Sequence, residues 1–471
     1  KSGRLTDEEA YRYIHSLWTM IENRRTTVNG RIIVGGKGRK HPKEADVFLH
    51  IAMKVAKNCR YVEPQFTLRF DKETSEEIWD EALDALGAGA TYPTLYNDDV
   101  NVPAVMYGMR VDEKTAEQYV PFGCTEFVIQ GQSTGTPNIC INLLKLLTIY
   151  MNDGIDPIDG KRKSGPVPLK KLEEYQTFEE FYDGYKALLD YYLDLSVKAQ
   201  YHSYEVMNQH VSFLFTSLLT DDCIARGKAL LDGGVRYLGG TNETYGNINT
   251  SDSLWVIRDL VFNQKKYTLR QLNDAMLANF NGYEALRKDC LNCDKYGNDL
   301  ETADTMANDL YEFVAKGVRD RGIAIGMQYF LIVISNNQLN TEWGNRTAAS
   351  PDGRLSCMYM NPANNPQGGA NKSGPTAMLN SLAKFDAKYH GGSVQNIKFS
   401  PSMFNENRAV IKSLFKTYFA KGGCHLMVTV VDKGVLEDAV EHPENYPDLI
   451  VRVSGFSAVF VDLSPNIQQE L

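Results

Sequence analysis

From residue 31 to residue 89 the chain alternates β-type runs with amphipathic helical ones, and no other feature constrains the fold as much. RIIVGG (31–36) and QFTLRF (65–70) carry the branched and aromatic residues of strands. Between them Ala45, Phe48, Leu49, Ala52 and Val55 recur at helical spacing behind Pro42, and SEEIWDEALDALGAG returns to helix with Gly87 or Gly89 as its stop. Strands separated by helices of this length are joined by crossovers, so the pattern predicts an α/β fold with a mostly parallel sheet. Upstream, TDEEAYRYIHSLWTMIENRR (6–25) reads as a helix, with Thr6 and Glu9 forming a capping box. The chain enters that helix almost at once, which suggests that something upstream is absent.

Further along, TYPTLYNDDVNVPA (91–104) reads as a loop, with Asn97, Asp98, Asp99 and Asn101 gathered in one Asx-rich turn. DEKTAEQYV reads as a helix, PFGCTEFVIQGQSTGTPN as a loop, and residues 139–151 as an apolar helix. GIDPIDGKRKSGPVPLKK is punctuated like an exposed insertion, and residues 177–231 are helical with many aromatic core positions. GGTNETYGNINTSDS reads as a polar loop entering a helix near Ser251. MQYFLIVIS (327–335), IKFSP and HLMVTVVD are β runs, and the long segment SPDGRLSCMYMNPANNPQGGANKSGPT between the first two is a loop of the length that usually serves function.

Composition narrows the function classes. With 471 residues, 43% hydrophobic and 23% charged, the chain can bury a sizeable core. A net charge of −9 with no basic stripe argues against nucleic acid as a partner. No run of 18 apolar residues appears, the first residues do not read as a signal sequence, and the eight cysteines have no disulfide rhythm. These features predict a cytoplasmic protein without a membrane partner. GGKGRK lacks the spacing of a nucleotide loop, and Cys290-x-x-Cys293 stands without a second pair, which favours structural cysteines over a metal site.

Two stretches point to chemistry. In VRVSGFSAVF, Gly455 sits between a β run and an apolar run, a setting that demands a turn or a close backbone approach. Glycine is also the only residue whose α-carbon can carry an unpaired electron with no substituent, shared between amide nitrogen and carbonyl. Residues 123–127, GCTEF, put Cys124 two positions before Glu126; in an extended segment the thiol and the carboxylate would share a face, able to move a hydrogen atom and a proton.

VRVSGFSA resembles the C-terminal signature of the glycyl radical enzymes, the pyruvate formate-lyase superfamily, and Cys124-x-Glu126 resembles the active-site loop of its Cys-x-Glu branch. YNDDVNVPA, LRF around Arg69, SPDGR, SGPTAMLNS, IKFSP and HPENYPDLIVRVSGFSA match in the same order. The resemblance implies a ten-stranded α/β barrel surrounded by helices, with the N-terminal part absent from this chain. Residues 1–400 would form the barrel region with the cysteine loop, and 401–471 a C-terminal glycyl radical domain. It implies Gly455, Cys124 and Glu126 as catalytic residues, with Asn97, Asp98, Arg69 and His425 as substrate-binding candidates and no metal ligands. It further implies a lyase, dehydratase-like, acting anaerobically on a small molecule. No cofactor would be bound; a separate S-adenosylmethionine iron–sulfur activase would install the radical, since this chain has no Cys-x3-Cys-x-x-Cys cluster. A homodimer, or a partner chain supplying the N-terminal half, is expected.

Departures keep alternatives open. Thr125 stands where pyruvate formate-lyase has a second cysteine, which weakens a formate acyltransferase reading. Ser133 and Asn138 lie where diol dehydratases carry an aspartate, and no acid occurs between Glu126 and Asp153. A catalytically silent scaffold or binding subunit is the alternative from another class.

Overall fold

Thr6 starts the first helix, α1 (Asp7–Glu22), as the sequence predicts: its Oγ1 accepts the Glu9 N–H at 3.2 Å, and the Glu9 carboxylate accepts the Thr6 N–H at 2.8 Å. The computed structural model describes residues 3–24, 30–135, 138–334, 338–453 and 455–471. Arg25, Thr136, Pro137, Ser335 and Ser454, which fall in stretches read above, lie outside the described residues.

Thirteen strands are described. In chain order they are β1 (Ile32–Gly35), β2 (Phe66–Phe70), β3 (Thr94–Asn97), β4 (Tyr119–Phe122), β5 (Glu126–Ile129), β6 (Ile139–Asn142), β7 (Gly239–Tyr245), β8 (Tyr329–Ile334), β9 (His390–Ser393), β10 (Asn396–Phe399), β11 (His425–Val430), β12 (Ile450–Arg452) and β13 (Ser457–Val459). β1, β2 and β3 run parallel, linked by α2 (Pro42–Cys59) and α3 (Glu76–Gly87), which confirms the crossover pattern read from the sequence. β11 joins β3 antiparallel and β10 joins β11 parallel, completing five strands. The second sheet, β6-β7-β8-β9, is all parallel.

The closed ten-stranded barrel implied by the resemblance is corrected here to two open sheets. Only Val394 and Gln395 separate β9 from β10, so the chain steps from one sheet to the other without a ladder between them; among the described residues β1 and β6, the outer strands on the other side, do not pair either. The boundary at residue 401 falls between the paired strands β10 and β11.

The long helices Phe178–His210 and Glu301–Ala324 cover the outer face of the second sheet with Phe181, Tyr185, Leu189, Leu310 and Val314, all buried. Two loops of the sequence reading are regular structure instead, forming three elements. TLYN is the buried strand β3, and DDVNVPAVMYGM is the helix α4 (Asp98–Met109), capped by the Asn97 side chain accepting the Asp99 N–H at 3.2 Å. GGTNETY is β7: its polar residues alternate, Thr241, Glu243 and Tyr245 facing inward while Asn242 bonds Ser196 of the outer helix at 2.8 Å. The expected helix DEKTAEQYV is one turn, Glu113–Ala116, followed by the hairpin β4–β5.

Candidate active site

Pairing of Phe122 with Glu126 in the β4–β5 hairpin leaves Gly123, Cys124 and Thr125 as a three-residue turn. Cys124 therefore stands at a hairpin tip and not in an extended segment. Gly123 takes φ +52, and a Cβ there would lie 2.7 Å from Glu126 Oε2, so glycine is required both for the turn and for the carboxylate folded over it. Glu126 Oε2 accepts the Thr125 N–H at 2.9 Å. Two groups seat the turn between the sheets. Arg31 Nη2 of the β1 approach donates to Gly123 O at 2.7 Å, and Gly392 of β9 backs onto Thr125, where a Cβ would be 2.7 Å from its Oγ1.

The second loop arrives from the C-terminus. β12 and β13 pair Arg452 with Ser457, and Val453 N–H donates to Phe456 O at 3.1 Å, so Gly455 lies in the tip of a tight hairpin. Buried Arg452 pins it: Nη1 donates to Tyr92 Oη at 3.0 Å and Ser457 Oγ at 3.3 Å, and Nε lies 3.2 Å from Met427 Sδ. The two tips meet. A Cβ built on Gly455 would collide with Cys124 Sγ and lie 2.5 Å from its Cβ and 2.7 Å from its Cα. With a carbon–carbon bond of about 1.5 Å, the Gly455 α-carbon is within roughly 4 Å of the Cys124 side chain. Residues 331 positions apart in the chain are in van der Waals contact.

Burial and neighbouring charge raise the proton affinity of both acids of the turn. Burial, then the Glu126 and Glu243 carboxylates, holds the Cys124 thiol well above its usual range. Burial first and Glu243 second push Glu126 up to about 7. A neutral thiol has the S–H bond that hydrogen-atom transfer needs.

Around the tips several buried polar atoms find no partner among the described residues: Tyr96 Oη, His425 Nε2, Thr125 Oγ1, Ser393 Oγ and Gln395 Oε1. Tyr96 and His425 face each other across β3 and β11, ring centroids 4.5 Å apart. Met427, two residues after His425 and so on the same face of β11, packs with Ala363, Val394 and Cys124. Gln395 N–H donates to His425 Nδ1 at 3.3 Å, which puts the proton of the neutral ring on Nε2; burial and the Arg452 and Arg31 guanidinium groups hold that ring well below its usual pKa.

The other sequence candidates serve the framework. Arg69 and Asp98 form a buried two-point ion pair, Nε–Oδ1 2.9 Å and Nη2–Oδ2 2.8 Å, and Arg69 also donates to Tyr119 O and Glu117 O. Asn97 Nδ2 donates to Phe419 O at 3.1 Å and Gly423 O at 3.0 Å. The structure thus brings Gly455, Cys124, Glu126 and His425 together and turns Arg69, Asp98 and Asn97 to backbone and to each other. Sequence reasoning missed Arg31, Tyr96 and Glu243. Only Glu243 left a signal, as the one acid in the two-residue alternation of GGTNETY. All eight cysteines are free, Cys290 and Cys293 included.

Residues 1–339 match the family described as pyruvate formate lyase-like, and residues 360–461 match the family described as glycine radical. The chain belongs to the pyruvate formate lyase-like family. Relatives within this family include trans-4-hydroxy-L-proline dehydratase of Clostridioides difficile, 28% identical over all of this chain and 61% of the relative. Another is (2S)-3-sulfopropanediol dehydratase of Klebsiella oxytoca, 27% identical over 96% of this chain and 55% of the relative. The glycerol-bound B12-independent glycerol dehydratase from Clostridium butyricum superposes with a TM-score of 0.90 at 28% identity, covering 99% of this chain and 61% of that one. The chain therefore spans about three-fifths of the length of the pyruvate formate lyase-like relatives it matches. Among the described residues no helix is long and apolar enough to cross a membrane.

Proposed function

We propose that the chain carries the radical machinery of a glycyl radical lyase of the dehydratase type. The contact between Gly455 and Cys124 carries this reading, because a hydrogen atom moves only between groups in van der Waals contact. A separate S-adenosylmethionine iron–sulfur activase removes a hydrogen from Gly455, whose α-carbon then stores the unpaired electron. Cys124 returns a hydrogen to that carbon, and the resulting thiyl takes one from a hydroxyl-bearing substrate carbon. On the adjacent carbon the C–O bond breaks, and the hydroxyl leaves as water with the proton of Glu126. The hydroxyl proton on the radical carbon passes to the Glu126 carboxylate, and the carbonyl-stabilised radical takes its hydrogen back from Cys124. One water is lost and nothing is oxidised overall.

Dehydration is favoured over C–N or C–C cleavage by the relatives' names and by Glu126, whose carboxyl holds a proton to about pH 7. Tyr96 Oη and His425 Nε2, buried donors without acceptors, hold a substrate oxygen beside the thiol. Residues 401–471 act as the radical-carrying part against the two-sheet body, in a dimer or together with a partner chain. Exposed Leu214, Phe215, Leu218, Leu219 and Ile224 give that partner an apolar surface to cover. Activity requires the cytoplasm of an anaerobic cell, since dioxygen attacks a glycyl radical.

The test is electron paramagnetic resonance after anaerobic treatment with an activase and S-adenosylmethionine. A glycyl doublet is expected in the unaltered protein and in Cys124→Ala, the latter without turnover of the vicinal diols glycerol and propane-1,2-diol. An undiminished doublet in Gly455→Ala overturns the assignment.

A further inference from the structure

The segment after the cysteine turn holds no acid, yet the chamber holds a second carboxylate. It comes from β7, where Glu243 lies opposite Cys140 of β6 in the parallel register and points inward between Thr241 and Tyr245. Asn138, two residues before Cys140, bridges it to the turn: Nδ2 donates to Glu243 Oε1 at 2.7 Å and to Glu126 Oε1 at 3.3 Å. The amide is oriented by Thr241, whose hydroxyl donates to Asn138 Oδ1 at 2.5 Å. Tyr245 Oη donates to the other Glu243 oxygen at 2.6 Å. Glu243 thus accepts from Tyr245 on one oxygen and from Asn138 on the other, and that one amide serves both carboxylates.

We propose that Glu243 is a positioning residue for Glu126, acting through the Asn138 bridge so that Glu126 meets the substrate as an acid. The inference deepens the lyase reading and rests on it for its chemical purpose, since loss of a hydroxyl as water needs a proton at the leaving oxygen. Two carboxylates joined by one amide cannot both ionise cheaply in a buried site. Glu243 receives both the Tyr245 hydroxyl and the Asn138 amide, and its proximity raises the proton affinity of Glu126. The charged and titratable groups around the pair are Arg31 from the β1 approach, Tyr96 from β3, Cys140 from β6, Tyr245 from β7 and Cys124 from the turn itself. Two cations stand nearby: Arg31, which donates to Gly123 O, Gln65 Oε1 and Thr67 Oγ1, and Arg452 of β12, which acts on Cys124 and donates to Tyr92 Oη and Ser457 Oγ. The substrate class that follows carries its leaving oxygen as an uncharged hydroxyl, which a neutral acid can protonate in place.

The test needs no radical and no substrate. Infrared titration of the resting, full-length chain follows the protonated-carboxyl band that disappears in Glu126→Gln; that subtraction separates it from Asp252, whose carboxyl burial also raises to about 7. In Glu243→Gln, which retains an acceptor for Asn138, the midpoint of the Glu126 band is expected to fall by about one pH unit, a tenfold loss of proton affinity. An unmoved midpoint in a Glu243→Gln protein with native circular dichroism overturns the proposal. Should that variant not fold, Asn138→Ala decides: without the bridging donor the carboxylates face each other directly and the midpoint rises, whereas a midpoint that stays or falls overturns it. Because the unactivated protein is measured, a failure here leaves the Gly455 doublet untouched, and a missing doublet leaves this titration intact.

Discussion

Two buried polar regions, one around Arg69 of β2 and Asp98 of α4 and the other around Tyr96 of β3 and His425 of β11, are built on opposite rules. In the knot around Arg69 and Asp98 almost every hydrogen-bonding atom has a protein partner. Asp98 accepts from both arms of Arg69, from Tyr119 Oη at 2.8 Å and from the Lys37 N–H at 2.7 Å, while the guanidinium stacks 4.1 Å above the Tyr119 ring. Gly36 makes room for this, since a Cβ there would be 2.6 Å from Asp98 Oδ2. In the chamber next to Cys124, by contrast, Tyr96, His425, Thr125 and Gln395 keep buried donors and acceptors unanswered. An unmet buried polar group costs about 1–3 kcal/mol, so the unsaturated cluster that lies beside Cys124 is the one a substrate's polar groups can relieve.

The largest effect that sharpens this contrast falls on the knot. Asp98→Ala leaves a buried guanidinium without its carboxylate, and urea unfolding should show a loss of about 3–5 kcal/mol. Arg69→Met together with Asp98→Leu, which removes both charges, should recover much of it. If Asp98→Ala costs no more than a surface substitution, the knot is not the scaffold described.

How much of this the sequence disclosed follows the same division. Glycine and cysteine announced themselves because their chemistry is local: Gly455 needs only itself and Cys124 only its turn. The crossover pattern of β1, α2, β2 and α3 was legible because each helix shows one apolar stripe. What stayed hidden depends on partners far away in the chain. Arg69 and Asp98 read as substrate groups since nothing local says that a buried Arg meets a buried Asp 29 residues on, and β7 read as a loop because its inward face is polar for the sake of the chamber. The barrel failed to close for a reason no local pattern encodes, namely that two residues between β9 and β10 turn the chain from one sheet into the next.

A middle-sized effect tests the chamber's charge. Folding holds the Glu126 proton to about pH 7, while an unfolded glutamate releases it near 4.3. In that window the native state binds more protons, so the contribution that is complete below the lower value is lost as pH rises through about 7. Wild type should therefore lose roughly 2–3 kcal/mol relative to Glu126→Gln between pH 4 and 8, read as the difference of two denaturant series. A rise in relative stability with pH would mean that Glu126 is ionised when folded, and the acid role would go with it.

The smallest effect discriminates most sharply. Tyr96→Phe removes a hydroxyl that has no well-formed hydrogen-bond partner among the described residues, and the resting protein should be unchanged or more stable by about 1 kcal/mol. The substitution keeps the ring that packs at a tilt against His425, so the pocket retains its shape. Turnover by the activated protein should nevertheless fall, chiefly through weaker substrate binding, because the lost hydroxyl was reserved for a substrate oxygen. Stability and activity thus move in opposite directions at one atom. In the knot they move together, since Tyr119→Phe strips Asp98 of a donor and both should decline. A Tyr96→Phe protein that is destabilised like Tyr119→Phe would show the hydroxyl already engaged, and the distinction between filled scaffold and waiting chamber would lose its clearest example.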